Sequence, residues 1–110
     1  MRLEFELDSR EEGIILPEIL KLIESKPKTS GEIIFLLEEQ GYKLSPIRFR
    51  AIIHHIRVNE IAMVISGRWG YWISNDPEEI FAYCQSLDAR ADSIKAASSS
   101  IRRMLSKRYV

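Results

Sequence analysis

The chain has 110 residues, of which 45% are hydrophobic and 29% are charged, an ordinary balance for a globular protein with one modest core. Its apolar runs, such as residues 61–65, are far shorter than the roughly 20 residues that a membrane-spanning helix requires. The sequence starts without an apolar signal core and has Cys84 as its single cysteine. We therefore expect a cytoplasmic protein without a disulfide and without a membrane partner.

The net charge of zero conceals an uneven distribution of charge. Residues 1–42 hold five Lys or Arg against ten Asp or Glu, whereas residues 43–73 hold five Lys or Arg and one acid, Glu60. Residues 102–108 add basic side chains and no acid. A basic middle is suited to binding a polyanion. A solvated surface without a partner explains the same charge equally well.

The N-terminal third predicts a strand followed by a helix. Residues 3–7 alternate apolar and acidic side chains, which is typical of a half-buried strand. Residues 8–13 are polar and predict a connection. Pro17 then begins a helix with Ile19 and Ile23 on its apolar side, and this helix ends near Lys26 and Pro27.

A second, short helix has clear start and stop signals. Thr29 followed by Glu32 three residues later is a capping-box pattern, and Gly41 is suited to a left-handed C-terminal stop. Its predicted buried face consists of Ile33, Ile34, Leu36 and Leu37.

A third helix is predicted from Pro46 to about Val58, with Ser45 as its N-cap. One stripe of it is apolar and predicts the core face: Phe49, Ile52, Ile53 and Ile56. The side chains outside that stripe are Arg48, Arg50, Ala51, His54 and Arg57.

The segment after the third helix predicts a hairpin and then another helix. Residues 61–66 and 71–74 favour β-structure and enclose the tetrapeptide Gly67-Arg68-Trp69-Gly70. Asp76 followed by Pro77 is a strong helix start. The basic third helix, the hairpin after it and its glycine-bounded turn are the features that bear most on function.

The C-terminal third predicts one long helix, because residues 78–110 contain neither Gly nor Pro. Two rows of residues recur every seven positions, and a seam of this period is typical of a helix that packs along another helix. The serine run at residues 98–100 favours fraying or a bend. We expect a homodimer through this helix, although it could instead fold back on its own domain or bind another protein. The dimerisation residues would be Ile80, Cys84, Leu87, Ala91, Ile94, Ile101 and Leu105, with Ser98 completing the second row.

Three helices followed by a hairpin describe a helix-turn-helix with a wing. The segments 29–33, 44–54, 67–73 and 76–80 resemble the winged helix-turn-helix family, especially its biotin-repressor-like branch and the small DNA-binding proteins of bacteriophages and prophages. The resemblance covers roughly residues 14–86. One departure is that residues 59–61 lack the acidic-glycine ending that usually precedes the wing. The resemblance implies an α+β winged helix-turn-helix fold with three helices and a two-to-three-stranded wing sheet. A second departure is that the N-terminal strand and the long tail lie outside the family's common core. We therefore expect a winged helix-turn-helix domain in residues 1–76 and a long C-terminal helix in residues 77–110.

In that family the third helix enters the DNA major groove and the wing touches the backbone or the minor groove. Arg48 and Arg50 are the best candidates for base or phosphate contacts, since a guanidinium can bond two guanine acceptors together. Ser45 at the helix start suits a phosphate, and Arg68 lies at the wing tip. The complete predicted interface is Ser45, Pro46, Ile47, Arg48, Arg50, Ala51, His54, Arg57, Arg68 and Trp69.

An enzymatic function is disfavoured by the sequence. His54 and His55 are adjacent, so they cannot form the i, i+4 pair that binds a metal on a helix. No Cys-His or Ser-His-acid arrangement and no glycine-rich phosphate loop can be identified. We expect no metal and no cofactor.

Two hypotheses about function remain. The first is a sequence-specific protein that binds double-stranded DNA, either a phage-like transcriptional regulator or a replication-origin-binding factor. The second is a winged-helix adaptor that docks a protein partner through its C-terminal helix.

Overall fold

The computed structural model of the chain describes residues 6–109. The fold is α+β, as predicted. Its helices are α1 (Leu16–Leu22), α2 (Ser30–Glu39), α3 (Pro46–Val58) and α4 (Pro77–Tyr109), and its strands are β1 (Val64–Gly67) and β2 (Gly70–Ile73). The chain divides into two compact units, Met1–Asn75 and Asp76–Val110. Within the described residues, no helix is both long enough and apolar enough to cross a membrane.

The first helical region begins earlier than predicted. The Asp8 carboxylate accepts a hydrogen bond from the Glu11 N–H at 2.7 Å, and the Asp8 N–H donates to Glu11 Oε1 at 2.9 Å. This reciprocal pair forms a capping box. Helical structure therefore begins at Ser9, and the predicted connection over residues 8–13 is wrong. Of the predicted strand, residues 3–5 lie outside the described part of the chain, while residues 6 and 7 belong to neither a helix nor a strand.

A π-helical segment, Glu11–Ile15, leads directly into α1. The Leu16 N–H donates to the Glu11 carbonyl, five residues back, and the next residue, Pro17, has no N–H to donate. Helix α1 ends at Leu22, before the predicted end near Lys26. There the Lys28 ammonium donates to the Leu22 carbonyl at 2.6 Å, which satisfies one of the last carbonyls of the helix.

The predicted start and end of α2 are confirmed. The Glu32 N–H donates to Thr29 Oγ1, and the Thr29 N–H donates to the Glu32 carboxylate, both at 3.1 Å. The Thr29 backbone N–H, and after it the Thr29 hydroxyl, hydrogen-bond with the Glu32 carboxylate and lower the pKa of Glu32 below its ordinary value. Gly41 ends the helix with a φ of 91°, a conformation that glycine adopts without strain.

The core of the first unit lies between α1, α2, α3 and β1. Phe49, Ile52, Ile53 and Ile56 are all buried, so the apolar stripe predicted for α3 is confirmed. The ring of Phe49 packs edge-on against Tyr71 of β2, with ring centroids 5.1 Å apart. The remaining core side chains come mainly from α1 and α2: Ile15, Leu16, Ile19, Ile23, Ile33, Leu37 and Val64.

The two strands form the predicted antiparallel hairpin, although β1 begins at Val64 rather than at residue 61. Val64 pairs with Ile73, and Gly67 pairs with Gly70 at the turn. An isolated bridge joins Lys28, just before α2, to Tyr71. Its two backbone hydrogen bonds measure 3.1 and 2.7 Å. This bridge attaches the segment between α1 and α2 to the outer side of β2.

The second unit is the single helix α4. The Asp76 carboxylate accepts a hydrogen bond from the Glu78 N–H at 3.0 Å, which confirms Asp76 as the predicted cap. The helix continues without interruption to Tyr109, and the serine run at residues 98–100 is helical rather than frayed. None of the α4 side chains is buried.

We expect Gly70→Ala to destabilise the first unit by at least about 2 kcal/mol. Gly70 has a φ of 107°, and a Cβ there would lie 2.3 Å from the Lys28 carbonyl group, a backbone contact that cannot yield cheaply. Urea unfolding followed by circular dichroism measures the loss of free energy.

Substitutions at two further glycines separate the effect of the positive φ from the effect of the close contact with Lys28. Gly41→Ala shares the positive φ but has open space for a Cβ, so it should cost about 1 kcal/mol. Gly13→Ala lies in a helical segment with open space, so it should be neutral or slightly stabilising. Equal effects of Gly70→Ala and Gly41→Ala would show that the close approach of Lys28 is not important.

Candidate nucleic-acid interface

The buried stripe of α3 determines which of its side chains face outward. Ile47, Arg50, His54 and Val58 follow one another at spacings of three and four residues, and all four are exposed. Residues at these spacings share one face of a helix. The outer face of α3, which we define by these four residues, is therefore partly basic and partly apolar.

Arg48 does not belong to this outer face. Its Nε and Nη2 donate to the two carboxylate oxygens of Glu11 at 2.7 and 2.8 Å, and Nη2 also donates to the Glu6 carbonyl at 2.7 Å. The side chains of Arg48 and Glu11 are only 19% and 7% exposed. The Arg48 guanidinium, which the sequence predicts to contact DNA, instead forms a bidentate salt bridge that joins α3 to the π-helical segment.

Ala51 is also misplaced in the predicted interface. It is only 1% exposed and belongs to the core. Ala51 lies outside the apolar stripe of α3, so its burial does not follow from the helical period.

The start of α3 has the predicted cap geometry. Ser45 Oγ accepts a hydrogen bond from the Arg48 N–H at 3.1 Å, and Pro46 occupies the first turn. Both residues are exposed. A serine hydroxyl has one proton and two acceptor lone pairs, so the capping bond leaves its proton able to donate. Lys43 is exposed two residues before Ser45, and its charge would have justified including it in the predicted set.

Arg57 connects the end of α3 to the hairpin. Its Nε donates to the Val64 carbonyl at 2.9 Å, and the residue is half-buried. This hydrogen bond joins the two elements, so Arg57 has a structural role.

The turn of the hairpin presents an arginine and a tryptophan to solvent. The Arg68 guanidinium lies over the Trp69 ring, 5.1 Å from its centroid, and Trp69 is 68% exposed. This spacing is typical of a cation–π contact. An indole ring so far out of the core does not contribute to folding by burial, so it is available to a partner.

The basic middle of the sequence is thus less basic at the surface than its residue count indicates. Glu11 neutralises Arg48, and Arg57 is half-buried, which leaves Lys43, Arg50 and Arg68 as the exposed cations of residues 43–73. The residue that sequence analysis missed is Glu11. The signal was present, because Asp8 and Glu11 have capping-box spacing, but the partner of Glu11 lies 37 residues away.

The predicted dimerisation residues all lie on α4. Ile80 and Leu87 are half-buried, whereas the others are exposed: Cys84, Ala91, Ile94, Ile101 and Leu105. Among the side chains of residues 6–109, no three His, Cys, Asp or Glu approach one another closely enough to hold a metal ion.

Comparison with known proteins found no matching family model, no similar curated protein and no similar solved structure.

The two arginines of α3 should differ in their effect on stability. We expect Arg48→Met to cost about 3 kcal/mol, because it leaves the mostly buried Glu11 carboxylate without its cation. Arg50→Met should change the free energy of unfolding by less than about 0.5 kcal/mol, since Arg50 is exposed. Urea unfolding of both variants provides the comparison.

The double variant Glu11→Leu/Arg48→Met tests the cause. It should recover part of the loss, because no buried charge is left unpaired. A double variant that is destabilised by the full sum of its single changes would contradict this explanation.

Proposed function

We propose that this chain is a winged helix-turn-helix protein that binds double-stranded DNA in a sequence-specific manner. Helix α3 would lie in the major groove, and the turn between β1 and β2 would lie against the backbone or the minor groove. The observation that carries the proposal is the outer face of α3, whose exposed Ile47, Arg50 and His54 lie opposite a fully buried stripe.

The order of the elements supports this assignment. A short helix, a turn around Gly41 and a second helix precede a two-stranded hairpin, which is the arrangement of a helix-turn-helix followed by a wing. The Lys28–Tyr71 bridge adds a third, minimal strand position beside β2. This bridge supports the proposal, because the resemblance implies a wing sheet of two to three strands.

The chemistry of the outer face suits base edges. An exposed arginine at the middle of a groove-bound helix can donate two hydrogen bonds to guanine O6 and N7. Ile47 supplies an apolar group of the kind that contacts a thymine methyl. Ser45 and Lys43, at the helix start, suit the phosphates that position such a helix.

The hairpin turn supplies a second contact region. Arg68 and Trp69 form an exposed cation–π pair, and an arginine at the tip of a hairpin can enter the minor groove or contact its phosphates. Arg48 has no part in the proposed contacts, because Glu11 neutralises it. The proposal therefore rests on Arg50 and Arg68 as its principal cations.

The adaptor hypothesis also has support. Ile47 and Val58 are 57% and 60% exposed on the same outer face, and exposed apolar groups of this size favour a protein partner as well. The two hypotheses differ in salt dependence, since only DNA binding must release condensed counterions.

The test is fluorescence anisotropy with duplexes enriched by the protein from a random library, in salt from about 50 to 200 mM. We expect Arg50→Ala to weaken binding about tenfold, to relax the preference for one base pair and to lower the salt slope by about one. Arg68→Ala should lower the salt slope with a smaller effect on sequence preference.

Lys21→Ala is the matched control, because it removes one exposed cation from α1. It should bind like the wild type. If the wild type enriches no sequence and binds no duplex at micromolar protein in low salt, the DNA-binding proposal is rejected and the adaptor hypothesis is favoured. If Arg50→Ala binds normally with an unchanged salt slope, α3 is not the DNA-contacting element.

A further inference from the structure

Helix α4 exposes a long apolar face. Ile94, Ile101 and Leu105 are 71%, 62% and 57% exposed, although isoleucine and leucine are among the side chains most often buried. These residues belong to two neighbouring rows with a seven-residue repeat, the period at which helices pair along their length. The large row consists of Ile80, Leu87, Ile94 and Ile101, and the small row consists of Cys84, Ala91, Ser98 and Leu105.

A parallel pair of α4 helices would pack these rows poorly. In register, each residue faces its own copy, so Cys84, Ala91 and Ser98 would meet equally small side chains and leave gaps between the helices. The large row would occupy the heptad positions at which isoleucine disfavours a two-stranded parallel coil. Residue volume therefore opposes the parallel arrangement.

An antiparallel pair packs each large side chain against a smaller one or a leucine. We set the register so that position 92 of one copy lies opposite position 93 of the other. Ile94 then faces Ala91 of the second copy, and Ile101 faces Cys84 of the second copy. By the same relation Leu87 faces Ser98, and Ile80 faces Leu105. Alternating large and small residues across an interface lets the layers interdigitate without voids.

The charges beside the seam favour the same orientation. In the antiparallel pair, Asp88 lies beside Lys95 of the second copy, and symmetry produces this opposite-charge contact twice. In the parallel pair, Arg90 would lie beside Lys95 of the second copy, a like-charge contact that also occurs twice. Charges flanking a helix seam are known to determine partner orientation.

Side chains near the two ends of α4 complement each other in the same way. Tyr83, near the start, would lie beside Met104 of the second copy, near its end, and Met104 is 62% exposed. In the parallel pair Tyr83 would instead lie beside Asp88. Side-chain volume, charge and apolar area thus all favour a second, antiparallel copy of α4 as the partner of this face.

We propose that α4 pairs with α4 of a second copy of this chain as an antiparallel two-helix seam. The inference does not depend on DNA binding, since it uses only residues of α4. Its tests therefore measure assembly and orientation, and their failure would leave the DNA-binding proposal unaffected.

The first test is sedimentation equilibrium of the full chain. The wild type should be a dimer at micromolar concentration, and Ile94→Asp should shift it to monomer. Ala96→Asp, an exposed position away from both rows, is the matched control and should remain dimeric. Circular dichroism verifies that both variants keep their helix content. A monomeric wild type, or a dimeric Ile94→Asp, overturns the proposal.

The second test uses charge to determine orientation. Lys95→Glu places two acids beside each other in the antiparallel pair, so we expect the dimer to dissociate about tenfold more readily. The double variant Asp88→Lys/Lys95→Glu should restore the wild-type affinity. In a parallel pair Lys95→Glu would strengthen the dimer, because it would face Arg90. A tighter Lys95→Glu dimer therefore overturns the antiparallel orientation.

The third test uses Cys84, the single cysteine of the chain. Under oxidation or with a short bismaleimide, the wild-type dimer should not cross-link, because the two Cys84 residues lie far apart. Ile101→Cys should cross-link, and peptide mapping should join position 84 of one copy to position 101 of the other. Cross-linking between two Cys84 residues in the wild type, or between two position-101 residues in the variant, would indicate a parallel pair and reject the proposal.

Discussion

The structure of the first unit depends on which face of α3 is turned toward the core, and the buried stripe of α3 determines that orientation. Phe49, Ile52 and Ile56 are fully buried, and the Phe49 ring meets Tyr71 of the hairpin edge-on. Turning the helix would expose these side chains and lose the transfer free energy of each, about 1.5–3 kcal/mol per large side chain. Packing therefore determines that Arg50 and His54 face solvent. The candidate interface is a consequence of the core on the other side of the same helix.

Helix boundaries near α2, α3 and α4 could be predicted because their signals are local. Thr29 with Glu32, Ser45 with Pro46, and Asp76 with Pro77 all act within one helical turn. Capping bonds require only neighbouring residues, so one sequence is sufficient to identify them. The apolar stripe of α3 is local as well, since it follows from the helical period.

The role of Arg48 could not be predicted in this way, because its partner Glu11 is distant in sequence. The helical period places Arg48 outside the apolar stripe, but it does not predict which distant residue packs against Arg48. The π-helical segment brings Glu11 to that position, and the carboxylate also accepts a hydrogen bond from the Asp8 backbone. One side chain thus caps the first helical region and neutralises the arginine. Ala51 was misplaced for a related reason: it lies outside the apolar stripe, and the helical period alone does not predict its burial.

The hairpin is attached to the helices through backbone hydrogen bonds as well as through side chains. The Lys28–Tyr71 bridge brings the segment before α2 so close to Gly70 that no Cβ fits there, while the Lys28 ammonium caps α1. Lys28 thereby connects α1, α2 and β2, and Arg57 joins α3 to β1. The exposed Arg68 and Trp69 are thus held on a turn that is fixed on both of its strands. A contact surface needs such support if its side chains are to bind without a large loss of conformational entropy.

The two proposals together constrain how a dimer could bind DNA. In an antiparallel seam, the Pro77 residues at which the two α4 helices begin lie at opposite ends of the pair, about 45 Å apart at 1.5 Å per residue. Adjacent half-sites on one face of a duplex are separated by about 34 Å, or by multiples of that distance. A parallel seam would instead bring the two starts side by side. If both proposals hold, the orientation of α4 would set the half-site spacing that a dimer can reach, and the small side chains of Ala91 and Ser98 would influence DNA recognition although they lie far from α3 in sequence.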